Sequence, residues 1–168
     1  LYLPDMEDEY CVRERLLDMA ERYGIAVEWV ERTEQITVGG ITVTVYPPVG
    51  AGDMNEQGLT VLGSAEDTDV LITGDMKDST ERALLRKYPI PDIEILVVGH
   101  HGSKYSSCQE FLEAVRPETA VISVGSNSYG HPTEETIGRL EAAGAAVRRT
   151  DLEGNIIIHG GEEAYGGE

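Results

Sequence analysis

The chain has 168 residues, 40% hydrophobic and 26% charged, which suits one globular domain with a sizeable core and leaves too little for two. Its formal net charge of -18 comes from 31 acidic against 13 basic side chains, so the surface repels polyanions and offers no broad electrostatic footprint for DNA or RNA. No apolar run reaches the length of about 18 residues needed to span a bilayer. The opening "LYLPDMEDEY" has neither the basic region nor the apolar stretch of a signal peptide.

In chain order, the first predicted element is a helix from Glu7 to about Tyr23. Cys11, Val12, Leu16, Met19 and Ala20 recur there at helical spacing among charges, and Gly24 stops it. The stretches "IAVEWV", "EQITVG" and "GITVTVYP" are rich in β-branched residues, and "TVGGITV" predicts a hairpin around a Gly-Gly turn. Next comes "PPVGAGDMNEQG", whose Pro, Gly, Asp and Asn content predicts a loop without regular structure. "GLTVLGS" and "DVLITGD" follow as short strands across an acidic turn, then "DSTERALLRKY" as a helix that Asp78 or Ser79 would cap. The remainder alternates: strand "IEILVVGHH", helix "SSCQEFLEAVRP", strand "TAVISVG", helix "HPTEETIGRLEAAG", then strands "AAVRRT" and "NIIIHG". Near-continuous Val, Ile and Leu runs predict strands covered on both faces, and the alternation predicts a layered α/β fold. The domain is expected over residues 1–160, with a mobile tail over 161–168. Cys11 and Cys108 lie far apart without metal-ligand spacing; they read as two buried thiols, with a disulfide as the alternative.

In layered α/β folds, ligands gather at the carboxyl ends of the strands. "DVLITG" ends at Asp75. "IEILVVG" ends at His100 and His101, followed by Ser103 and Lys104. "TAVISVG" ends at Ser126, Asn127 and, a little further on, His131. Three of the four histidines therefore fall on loops that leave successive buried strands through glycine. Each item alone has a plain structural explanation: Gly-Asp as a turn, the doublet as side chains bonded to backbone carbonyls, and His131-Pro132 as a helix start with Pro at its first position. An extended strand would also point His100 and His101 to opposite faces, although the flanking glycines let the backbone bend.

Taken together, a carboxylate and imidazoles at adjacent strand ends suit a divalent ion: zinc, or manganese and iron as oxygen donors are added. Two ions about 3.5–4 Å apart, bridged by a carboxylate, activate water and clamp a phosphoryl group. Ser103, Lys104, Ser126 and Asn127 would bring hydrogen bonds and positive charge to a phosphate. For two metal sites, this inventory is short by several ligands. His159, close to the tail, reads as a surface residue.

As a set, "NEQGLTVL", "DVLITGD", "ILVVGHHGS", "VRPETAVISVG", "YGHP" and "RRTDLEGNIII" resemble the metallo-β-lactamase-like domain at the C-terminal end of ComEC, the bacterial DNA-uptake channel, and related free-standing hydrolases. The likeness covers Asn55 to Ile158 closely and residues 1–50 more loosely. It implies a partial αββα sandwich and hydrolysis of phosphodiesters, which in the channel protein means degrading one DNA strand during uptake. It also implies that Asp75 bridges metal ions and that the doublet, His100 and His101, contains the last metal-ligating histidine. His131 and Asn55 would line the substrate pocket. The implied cofactor is a pair of divalent ions, zinc or manganese, in the intact domain.

The family's His-x-His-x-Asp-His motif is absent, and the chain lacks an initiating Met. The sequence therefore reads as the C-terminal part of a longer domain, partnered by the upstream part of the same polypeptide, or as a degenerate member. Alone it is expected to bind metal weakly and to show little activity, and the exposed strand edges of an incomplete domain would favour a homo-oligomer. In a ComEC-like protein it would belong to a bacterial membrane protein. Two other readings stand beside this one: a free-standing hydrolase of a small phosphodiester, of the phosphorylcholine-esterase kind, and a metal-free scaffold. The acidic surface favours a small substrate over single-stranded DNA.

Overall fold

Two short strands, β1 (Tyr2–Leu3) and β2 (Glu28–Trp29), pair in parallel on either side of helix α1 (Val12–Tyr23). The computed structural model describes residues 1–6, 11–50 and 54–159. Gly24 closes α1 in the left-handed conformation, φ 63°, where its N–H reaches back to the carbonyls of Ala20 and Glu21. The Arg13 guanidinium lies over the Trp29 ring at 4.4 Å and ties α1 to β2. The helix starts at Val12 because Cys11, at φ 54°, leaves the right-handed helical path; residues 7–10 lie outside the described residues. Of the predicted apolar stripe only Ala20 is buried, while Val12, Leu16 and Met19 are exposed. Cys11 is also exposed, against the expectation of a buried thiol, whereas Cys108 is buried; both are free.

The hairpin predicted from the Gly-Gly pair is present. Strands β3 (Glu34–Val38) and β4 (Ile41–Tyr46) run antiparallel, and Gly39 and Gly40 both take positive φ, 59° and 86°, as a tight two-residue hairpin turn requires. Strand β4 pairs with β5 (Thr60–Ala65), which turns at Glu66-Asp67 into β6 (Thr68–Ile72), again antiparallel. From β6 onward the pairing is parallel, through β7 (Ile95–Val97), β8 (Thr119–Ile122) and β9 (Ala146–Arg149). Parallel neighbours need a crossover, supplied here by α2 (Asp78–Lys87), α3 (Gln109–Val115) and α4 (Glu134–Ala142). The seven strands β3 to β9 lie side by side in chain order, and a short helix, α5 (Thr150–Glu153), follows the last.

Strand alternation sorts the side chains between the two faces. Leu62, Leu71, Leu96, Ala120 and Val147 stand opposite one another across five strands, and all but Val147 are buried. Leu84 from α2, Phe111, Leu112 and Val115 from α3, and Leu140 from α4 close over that row. The adjacent row, Val61, Ile72, Val97 and Val121, faces the other way and is covered less; Ile72 is 42% exposed. Both faces are covered only in part: Thr44, Val45 and Tyr46 are buried in succession at the end of β4, whereas from β5 to β8 the face away from the helices stays partly open. The three crossover helices contribute their buried side chains to one side.

Four local expectations also change. The N-cap of α2 is Lys77, not Asp78 or Ser79; Asp78 is already helical, accepts from the Ser79 N–H at 2.9 Å and pairs with Arg82 one turn on at 2.8 Å. Thr133 is the N-cap of α4 and its hydroxyl accepts from the Thr136 N–H, so Pro132 lies before the helix rather than at its first position. The loop after β4 contains a 3-10 turn, Met54–Gln57, anchored where the buried Glu56 carboxylate accepts from the Thr80 hydroxyl at 3.2 Å. Residues 155–159 form no strand, since β9 ends the sheet and nothing described lies beyond it to pair with. Residues 51–53 and 160–168, with the expected tail, lie outside the described residues. Among the described residues, no helix is long and apolar enough to cross a membrane.

Phe111 is 1% exposed at the centre of the helix-covered face. Phe111→Ala is expected to cost about 3–5 kcal/mol, read as a lower urea midpoint with an unchanged slope.

Candidate active site

The parallel strands β6, β7 and β8 end side by side, and each then leaves the sheet. Strand β6 continues through Thr73 and Gly74 (φ 62°) to Asp75, and β7 through Val98 into a 3-10 turn, Gly99–Gly102. The two exits are tied directly, because the His100 N–H donates to the Gly74 carbonyl at 2.9 Å. His100 (φ 50°) and His101 (φ 54°) are both left-handed, and Gly102 follows at φ 78°. Non-glycine residues rarely adopt that region. The doublet is thus off the extended strand path, and the alternation expected of a strand does not govern where its rings go. Gly102 meets the third loop closely: a Cβ there would lie 2.6 Å from Pro132 Cβ, and its carbonyl accepts from the Thr133 N–H at 3.0 Å. Only glycine allows this approach.

The two histidines have different partners. His101 Nε2 lies 3.8 Å from Asp75 Oδ1, and its Nδ1 is 2.7 Å from the Ser123 carbonyl. A carbonyl only accepts, so Nδ1 carries a proton, and Nε2 is the ring nitrogen turned toward the Asp75 side. His100 turns instead to His131, edge to face, with ring centroids 5.6 Å apart. The Nδ1 atoms of His100 and His131, and the Thr73 hydroxyl, are buried without a hydrogen-bond partner. Burial holds the His131 pKa below the usual imidazole value; His100 and His101 push the same way, and Asp75 opposes them.

Asn127 holds the third loop. Its amide donates to the carbonyls of Gly125 (2.9 Å) and His131 (2.8 Å), and its Oδ1 accepts from the N–H groups of Tyr129 (3.0 Å) and His131 (3.1 Å). The side chain expected to meet a phosphate is engaged within its own loop, where it fixes His131. Tyr129 stacks on His131 and is itself widely exposed. Ser103 is buried, with its Oγ accepting from the Tyr105 N–H, so it too belongs to the loop framework rather than to an open surface. Lys104 is exposed with its ammonium over the Tyr105 ring, and Ser126 is exposed. Asn55 is exposed on the 3-10 turn beside the start of α2; among the described residues no hydrogen bond joins it to the histidines. His159 is exposed, as expected.

Sequence reasoning passed over Glu81, Arg139 and Thr150. Glu81 is fully buried, and its carboxylate accepts from the Ser107 and Cys108 N–H groups at 2.6 and 2.8 Å. Burial pushes the Glu81 pKa up in spite of those donors, and burial together with the Glu81 charge pushes the Cys108 thiol up to about 11. The Thr150 hydroxyl accepts from the Val124 N–H and donates to the Val124 carbonyl, closing the exit of β8. In the sequence these residues look like ordinary helix and strand-end polar positions. Nothing local marks them.

Asp75 and His101 are donors of the kind a divalent cation takes, but they are two. Among the described residues no group of three or more His, Cys, Asp or Glu side chains is placed to hold a metal ion. These residues alone do not complete a metal site.

No family model matches the chain. ComE operon protein 3 of Bacillus subtilis is 31% identical over 146 residues, 85% of this chain and 19% of that protein. Competence protein ComA of Neisseria gonorrhoeae is 47% identical over 89 residues, 52% of this chain and 13% of the relative. Recombination protein 2 of Haemophilus influenzae is 33% identical over 106 residues, 62% of this chain and 13% of the relative. The chain is homologous to a segment of these competence proteins. It spans less than a fifth of each, and the ComEC resemblance read from its motifs is borne out. Among solved structures it is similar to CmlA, a diiron β-hydroxylase from Streptomyces venezuelae, with a TM-score of 0.60 at 14% identity over 90% of this chain and 38% of that one. It is also similar to YhfI, a metallo-β-lactamase fold protein from Bacillus subtilis, with a TM-score of 0.50 at 9% identity over 88% of this chain and 60% of that one. At such identities the likeness is one of fold. The expected α/β architecture of the metallo-β-lactamase type stands.

In this competence homologue the His131 ring should titrate, by NMR, below the ordinary imidazole value of about 6.5. Asp75→Asn should lower that midpoint further, because it removes the one charge that favours the imidazolium. A rise on that substitution would mean that Asp75 does not face the histidine cluster.

Proposed function

We propose that this chain is the C-terminal part of a metal-dependent phosphodiester hydrolase within a larger ComEC-like competence protein. One observation carries the reading: a carboxylate and an imidazole meet at the ends of adjacent parallel strands, with His101 Nε2 3.8 Å from Asp75 Oδ1. In this reading Asp75 and His101 supply two donors, and the upstream part of the same polypeptide supplies the rest. Such a centre, once assembled, would polarise a phosphoryl oxygen and activate water.

The chain's own residues then have distinct tasks. The Ser123 carbonyl fixes the tautomer and the tilt of the His101 ring, as the outer partner of a ligating imidazole does. His100 and His131, with ring centroids 5.6 Å apart beside the Asp75–His101 pair, are the groups to bind or exchange a proton with substrate oxygens. Lys104 is the exposed cation beside that loop. In the intact protein, upstream chain also covers the partly open sheet face and the α1 stripe, with self-association as the alternative cover. The substrate class is a phosphodiester, and in an uptake protein of a bacterial membrane that is single-stranded DNA. The -18 charge favours a second reading, a small phosphodiester that the surface would not repel.

The test uses the full-length polypeptide loaded with zinc or manganese, with single-stranded DNA and bis-p-nitrophenyl phosphate as substrates. Asp75→Ala should lower turnover by about 1,000-fold, the equivalent of several kcal/mol of lost charge stabilisation. Undiminished turnover in that variant removes Asp75 from the site. The isolated chain should hold less than one zinc ion by elemental analysis. Two tightly held ions per chain would show that its own residues suffice.

A further inference from the structure

We propose that Arg139 is a positioning residue for the histidine doublet, acting with Glu81 to clamp the loop Gly99–Cys108 from two helices; this rests on the reading above that the doublet belongs to the active site. The loop needs such a clamp. Three of its non-glycine residues, His100, His101 and Ser107, have positive φ, between 50° and 54°. Conformations of that kind persist only where the surroundings over-determine them. Bonds inside the loop supply part of the constraint, with Ser106 donating to the Ser103 carbonyl and the Ser103 N–H to the His100 carbonyl, and none of them holds the backbone of Ser107.

The rest comes from α4 and α2. The Arg139 guanidinium donates through Nε to the Ser107 carbonyl at 3.0 Å and through Nη2 to the carbonyls of Lys104 (3.0 Å) and Ser106 (2.8 Å). Thr136, one turn earlier on α4, donates its hydroxyl to the Ser103 carbonyl at 2.8 Å and accepts from Arg139 at 2.9 Å. From the other side, Glu81 on α2 accepts from the Ser107 and Cys108 N–H groups. The Ser107 residue is thus held at both polar ends, its N–H by an anion and its carbonyl by a cation. Ser106 completes the frame by donating to the Gly99 carbonyl at 2.8 Å, directly before the doublet.

The partners of Arg139 give it the task of shaping the loop. In a chain with 31 acidic residues, Arg139 has no carboxylate within ion-pair distance among the described residues. Its donors converge on loop carbonyls instead, in the planar fork geometry that lysine cannot reproduce. A guanidinium so engaged sets where the loop sits, and through it whether the His101 ring reaches the Ser123 carbonyl.

The tautomer of His101 reports this directly, in the isolated chain and without any turnover. Nitrogen-15 NMR should find His101 in the wild-type chain mostly protonated on Nδ1, the form its bond to Ser123 selects. Arg139→Ala should shift the majority to the Nε2-protonated form favoured by free imidazole, with partial return on adding millimolar guanidinium ion. Arg139→Lys should fall between the two and serves if the alanine variant does not fold. Arg82→Ala, which breaks ion pairs with Asp78 and Glu110 on α2 and α3, is the control and should leave the tautomer unchanged. An unchanged His101 tautomer in folded Arg139→Ala and in Arg139→Lys overturns the proposal. In the full-length protein, a lower kcat at unchanged KM for Arg139→Lys supports it. If the tautomer shifts while kcat does not, the clamp stands and the assignment of the doublet to the active site falls.

Discussion

The parallel registration of β6, β7 and β8 is the constraint on which the site depends. Neighbouring strands lie about 4.8 Å apart, so three that stop together deliver three loops to one small region. Backbone bonds then lock the exits: His100 N–H to the Gly74 carbonyl, Val98 N–H to the Val121 carbonyl, and Thr133 N–H to the Gly102 carbonyl. The core row Leu71, Leu96 and Ala120 fixes that registration from below, since a one-residue slip would turn those side chains out of the helix-covered face. Packing at Phe111 and Leu140 and the approach of Asp75 to His101 are two consequences of the same sheet.

The doublet's loop shows how a costly backbone is kept in place. Left-handed non-glycine residues each cost roughly 1–2 kcal/mol, and charge-assisted hydrogen bonds contribute about 1.5–3 kcal/mol each. Arg139 is therefore a large enough term to decide the loop's shape, and Glu81 sets the direction of the Ser107 and Cys108 N–H groups. Neither relies on the other's charge; each meets backbone dipoles of the opposite sense. The upward shift of the Glu81 pKa shows that burial outweighs even two short N–H donors there.

Coverage is uneven across the molecule. One face of the main sheet is closed by α2, α3 and α4, while the other keeps Ile72 half-open and α1 exposes Val12, Leu16 and Met19. The competence relatives are several times longer than the matched segment. The donor set is uneven in the same way, with one carboxylate and one imidazole facing each other and no third ligand among the described residues. Under the proposed function, the upstream part of the polypeptide would meet both this apolar surface and the incomplete donor set.

Local chemistry in the sequence settled a good deal. Gly39-Gly40 could only be a tight turn between two β-branched runs, and Gly24 could only end a helix. The runs before Asp75, His100 and His131 had to be strands delivering polar residues to one end of an α/β sheet, and these are short-range signals legible without any partner. What the sequence left open was decided by contacts between distant residues. Which histidine faces Asp75 depends on left-handed backbone at His100 and His101, held by Arg139, 32 residues beyond Ser107, and by Glu81, 26 residues before it. The amide of Asn127, a candidate phosphate donor in the sequence, is engaged by the Gly125 and His131 carbonyls of its own loop. Strand and turn propensities act over a few residues, whereas the direction of a ring at a loop tip is set by hydrogen bonds that exist only after the helices have packed.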